Sequence, residues 1–113
     1  MQYDIDIKSV YNNLFLDVRK LLLSHPNISE TKKERITTYS DKNGGICHVR
    51  TTSKGVDIGF LKGAYFEDKL SLLHGKGKLV RVVSLKGYHE IVLLYYIDQA
   101  IAINYKKKLA PQI

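Results

Sequence analysis

The chain has 113 residues, 44% of them hydrophobic, with 18 lysines and arginines against 11 aspartates and glutamates and a formal net charge of +7. This length supplies one hydrophobic core and leaves no room for a second, and the apolar share excludes a disordered chain. A single cysteine, Cys47, excludes an intrachain disulfide and any metal site built on paired cysteines.

A basic surplus speeds encounter with nucleic acid, anionic lipid or acidic partners, and it also keeps a small protein soluble. Lysines dispersed along the chain favour the second, plainer role. Met1 to Ile7 carries two aspartates and has neither the basic start nor the apolar stretch of a signal peptide. The longest apolar run, Ile91 to Ile97, is far too short to cross a bilayer. A reduced, cytoplasmic protein without a membrane segment is expected.

In chain order, Val10, Leu14, Val18, Leu21 and Leu22 recur at helical spacing, which predicts an amphipathic helix over 9–24 with Asp6 or Ser9 as its N-cap. His25-Pro26 closes it, because the residue before proline avoids the helical region. The polar run Ser29 to Arg35 reads as a short surface helix or turn. Alternation then sets in, with strands expected over 36–41, 46–52 and 56–61, joined at Asn43-Gly44 and Ser53-Lys54-Gly55. In the third of these, Val56, Ile58 and Phe60 share one face, opposite Asp57 and Gly59. Phe66 to Leu73 reads as one or two helical turns, and 79–85 as a fourth strand.

Residues 88–106 contain Ile91 to Ile97, whose composition suits a buried strand. The apolar pattern, however, continues through Ala100, Ile101, Ala102 and Tyr105, too long for a strand. The helical spacing of Leu94, Ile97, Ile101 and Tyr105, with Lys106-Lys107-Lys108 at the end, predicts a helix buried on most sides. The order describes a single α+β domain over 1–113. It has an antiparallel sheet of about four or more strands, with N- and C-terminal helices packed on one face and the other face left to solvent or an interface.

An ordered series runs through this frame: Glu30-Thr31, Thr38-Tyr39-Ser40, Gly59-Phe60, Gly63-Ala64, Asp68, Leu73, Gly75-Lys76-Gly77-Lys78 and Arg81. On these residues the chain resembles the YdhG-like bacterial family, a domain of unknown function, over roughly two-thirds of its length or more. It departs from the family at two points. Arg35-Ile36-Thr37-Thr38 stands where a Trp-Gly-x-Pro is usual, and Lys69 follows Asp68 where a proline is common, which marks a divergent branch. The resemblance implies a small fold of helices on an antiparallel sheet. It implies little about activity, although some relatives are regarded as frataxin-like iron chaperones, which hold iron loosely on carboxylates. Here the eleven acids are scattered and Glu67-Asp68 is the only adjacent pair, so iron is not favoured.

The basic segment Gly75-Lys76-Gly77-Lys78, with Lys62 and Arg81, is the first candidate site. Glycines let backbone N–H groups approach an anion and lysines add charge, although the spacing is not that of a P-loop. The plainer account is a glycine turn with solvated lysines. His25, His48, His74 and His89 show no metal-ligand spacing, and His48 points away from Cys47, so a thiol–imidazole pair is not expected. Cys47 is expected to pack as a small hydrophobe. Tyr95, Tyr96 and Tyr105 could stack on single-stranded nucleic acid, but they fall in the helix expected to build the core.

No catalytic spacing or cofactor fingerprint is present, and a non-enzymatic accessory or binding protein is the leading expectation. Anion or nucleic-acid binding through the Gly-Lys loop is the alternative, and iron delivery the second. The partner is left open among an anionic ligand, a nucleic acid and a second copy in a homodimer.

Overall fold

The computed structural model describes residues 1–109, with side chains described through residue 107. Lys108, the last of the terminal lysines, has its side chain outside that range. Two N-terminal helices, α1 (Gln2–Asp6) and α2 (Asn12–Ser24), precede a sheet of β1 (Ser29–Lys32), β2 (Thr37–Asp41), β3 (Gly44–Thr52) and β4 (Gly55–Phe60). A 3-10 turn (Gly63–Tyr65) and an irregular crossover lead to β5 (Arg81–Leu85), and α3 (Glu90–Leu109) follows. The sheet is an antiparallel meander in the order β1-β2-β3-β4-β5. The α+β architecture and the helical assignment of Ile91 to Ile97 are therefore as the periodicity requires.

Alternation fixes the two faces. Tyr39, Cys47, Val49, Val56, Ile58, Phe60, Val83 and Leu85 point inward and are buried. They meet Leu14, Phe15, Val18 and Leu22 from α2 and Leu93, Tyr96, Ile97 and Ala100 from α3. Each fully buried Val, Leu, Ile or Phe among them contributes about 1.5–3 kcal/mol. The other face carries Thr38, His48, Arg50, Asp57 and Ser84, and among the described residues no helix covers it.

Several local expectations are corrected. Ser29 to Arg35 begins as edge strand β1, because pairing with β2 and the ion pair of Arg19 with Glu30 override its polar composition. Neither Asp6 nor Ser9 caps α2. Asp6 belongs to α1, wholly buried, and its Oδ1 accepts from the Thr51 amide at 3.0 Å and the Thr51 hydroxyl at 2.7 Å. The Ser9 hydroxyl accepts from the Tyr11 amide instead, and Val10 lies in the turn before α2, almost fully exposed.

The helical turn falls at Gly63–Tyr65 rather than within Phe66 to Leu73. That segment is held by side chains. The Asp68 carboxylate accepts from the Leu72 and Leu73 amides and, at 2.6 Å, from the Tyr96 hydroxyl, and the Tyr95 hydroxyl donates to the Glu67 carbonyl. Burial, and then the Asp68 carboxylate, push the Tyr96 hydroxyl up to about 12.

Cys47 is wholly buried, and burial alone pushes its thiol well above the ordinary range. A thiol reagent is expected to leave Cys47 unmodified until the protein unfolds. Cys47→Ala should lower stability by about 1 kcal/mol, as read by urea denaturation. Rapid labelling of the folded protein would contradict this packing role.

Candidate functional site

The end of the sheet where β2 and β4 finish and β3 and β5 begin collects much of the positive charge. Phe60 pairs with Arg81 and Asp41 with Gly44 at this end. The last turns of α3 reach it as well, since wholly buried Asn104 donates to the Gly45 carbonyl at 3.2 Å and to Asp41 Oδ1 at 3.3 Å. Lys42, Lys62, Lys76, Lys78, Arg81, Lys106 and Lys107 are thereby gathered around one rim.

The loop within this rim is closed by an isolated bridge. His74 and Val82 exchange both backbone hydrogen bonds, at 2.9 and 2.8 Å, so residues 75–80 form a closed loop at this end of the sheet. Gly75 takes φ +124°, a conformation that side chains with a Cβ rarely adopt. Gly77 needs no such freedom. Among the described residues, no protein acceptor takes the amides of Gly75 to Val80. Lys76 and Lys78 are exposed, and no ion pair among the described residues engages them.

The six candidates divide into two kinds. Lys76 and Lys78, with Gly75 and Gly77, face solvent on the loop. Arg81 is instead a strut, its guanidinium donating to the carbonyls of Gly77 and Val80. That use of Val80 also explains why β5 starts at Arg81 rather than at residue 79. Lys62 turns towards α3 and donates to the Asn104 side chain. Burial, and then the nearby Lys107, lower its pKa, with Asp41 partly offsetting them. It contributes charge to the rim while its ammonium is held inside.

The histidines remain apart. His25 Nδ1 accepts from the Asn27 amide, and His48 lies over Gly59 on the open face, where burial and then Arg50 lower its pKa. Among the described residues no three His, Cys, Asp or Glu side chains come together to hold a metal.

One constellation has no signal in the sequence. His74 Nε2 lies 2.8 Å from Ser84 Oγ, which donates to Asp57 Oδ1 at 2.7 Å. Pairing of β4 with β5 and the His74 bridge bring the three together from 27 residues of chain. The order is wrong for a nucleophile, because the serine gives its only proton to the carboxylate and accepts from the imidazole. It is a polar brace across the sheet edge.

Tyrosine use divides as well. The hydroxyls of Tyr39, Tyr95 and Tyr96 are engaged inside the protein. Tyr105, expected in the core, is 55% exposed because it lies on the outer side of α3, and Tyr65 on the 3-10 turn is 67% exposed.

Among the described residues no helix is long and apolar enough to cross a membrane. No protein-family model, curated protein or solved structure matches this chain.

Proposed function

We propose that this chain is a non-enzymatic accessory or binding domain of the YdhG-like kind, and that its ligand is an anion taken at the Gly75–Lys78 loop. One observation carries the reading: two unpaired lysines stand on a closed loop whose backbone amides have no protein acceptor among the described residues. Free backbone amides and lysine ammonium groups carried on one short loop are a donor set suited to phosphate oxygens. Lys42, Lys106 and Lys107 on the same rim raise the local potential and attract the ligand over a Debye length of about 8 Å at physiological salt. The YdhG-like assignment rests on the ordered motif series. Iron delivery gains no support from the side-chain geometry, because the carboxylates do not gather among the described residues.

The test is titration with inorganic polyphosphate at low salt, followed by amide chemical shifts. Shifts concentrated in residues 75–80 are expected. The double variant K76Q/K78Q should bind about tenfold more weakly for each lysine charge removed, with an unchanged thermal midpoint because both side chains are solvated. Absence of any shift in that loop would overturn the reading.

A further inference from the structure

We infer that the anion is a single-stranded nucleic acid, with Tyr65 stacking on a base while Lys76 and Lys78 hold the adjoining phosphates. This rests on the anion-binding reading above and adds a ligand class to it. Tyr65 is two-thirds exposed, and among the described residues its hydroxyl has no protein partner, unlike those of Tyr39, Tyr95 and Tyr96. A tyrosine ring left in water beside a cationic loop gains most from a ligand that brings both a flat π-face and negative charge.

The ring is carried on a rigid support. Gly63, at the start of the 3-10 turn, lies so close to β5 that a Cβ there would stand 2.6 Å from the Arg81 Cβ. The Ala64 amide donates to the Leu79 carbonyl at 2.9 Å, and the Tyr65 amide to the Lys62 carbonyl at 3.0 Å. The aromatic turn and the lysine loop are thus joined by backbone and held in one register. Leu79, 45% exposed, adds an apolar surface beside them.

The layout also separates a polymer from a lone phosphate. Lys106, Lys107 and exposed Tyr105 repeat the combination of cation and aromatic on α3, at the same end of the sheet. One small anion cannot use both sets, whereas a strand with regularly spaced phosphates and bases can. Duplex is disfavoured because its bases are already stacked and only its backbone would be met.

The experiment measures fluorescence anisotropy of a short labelled oligodeoxythymidylate, with inorganic polyphosphate as competitor and a duplex of equal length as control. Tyr65→Ala is expected to weaken oligonucleotide binding about tenfold while polyphosphate binding is unchanged, and Tyr65→Phe, which keeps the ring, should bind like the wild type. K76Q/K78Q should weaken both ligands and reduce the slope of log affinity against log salt by about 1.4 for the oligonucleotide, about 0.7 for each lysine. Equal oligonucleotide binding by wild type and Tyr65→Ala, or duplex binding as tight as single strand, would overturn the inference while leaving anion binding intact. No binding of either polyanion would remove both.

Discussion

Replacing Gly55 with alanine is expected to destabilise the protein by about 3 kcal/mol or more, a large part of the roughly 5–15 kcal/mol that holds a domain of this size together. The β3–β4 turn consists of Ser53 and Lys54, with the Thr52 hydroxyl accepting from the Lys54 amide, and Gly55 pairs back onto Thr52. Gly55 adopts φ +152°, which side chains with a Cβ rarely take. A Cβ there would fall inside the carbonyl oxygen of Leu85 and 2.9 Å from its carbonyl carbon. Strain and clash coincide, and the obstacle is backbone of β5, so relief requires separating β4 from β5 where Val56 and Leu85 pair in the core. Gly77→Ala provides the control, since its new methyl would meet only the Val80 backbone at ordinary distance and no unusual φ is required. Urea denaturation should show Gly77→Ala within about 0.5 kcal/mol of wild type. A Gly55→Ala protein equally stable would show that the hairpin relaxes freely.

The parts of the fold legible in the sequence are those whose signal is local. Alternation in β2 to β4 and the helical spacing of Leu14, Val18, Leu21 and Leu22 are written into neighbouring residues. The length of the apolar pattern beyond Ile97 likewise distinguishes α3 from a strand. The parts not legible depend on partners distant in the chain. α1 is held by the buried bonds between Asp6 and Thr51, 45 residues apart. The polar run at Ser29 becomes a strand through pairing with β2 and through Arg19.

The same distinction divides the candidate site. The Gly-Lys loop is contiguous and therefore visible in the sequence, and so is the turn chemistry of its glycines in outline. That Lys62 is captured by Asn104, 42 residues away, and that Arg81 braces its own loop are tertiary facts. Tyr65 carries no sequence signal for another reason. Exposure of one aromatic beside a glycine turn is set by how the crossover lies on β5, and no periodicity encodes it.

Substituting Glu30 with glutamine is expected to cost about 2 kcal/mol at neutral pH and to reduce the acid sensitivity of the fold. The Glu30 carboxylate, nearly buried, accepts from Arg19 Nε at 2.7 Å and Nη2 at 3.0 Å, and from the hydroxyl of wholly buried Tyr39 at 2.8 Å. Bonds to a charged acceptor are worth about 1.5–3 kcal/mol each, and partial exposure of Arg19 keeps the total towards the lower end. Burial raises the Glu30 pKa, but the hydrogen bonds from Arg19 and Tyr39 outweigh it and leave the carboxyl below the ordinary value. The folded state therefore holds its proton less tightly than the unfolded chain. The stabilisation is fully present above the unfolded pKa, near 4.5, and is lost as pH falls through the lower folded value. Asp68, whose pKa is lowered by the hydrogen bonds of Tyr96, Leu72 and Leu73 despite burial acting to raise it, adds acid sensitivity of the same sign. It does so equally in both proteins and cancels in the comparison. Urea midpoints of wild type and Glu30→Gln should thus differ by a constant amount from about pH 7 down to about 5 and converge below the carboxylate range. A gap that stays undiminished through that range would mean that the ionised form of Glu30 contributes nothing beyond its shape.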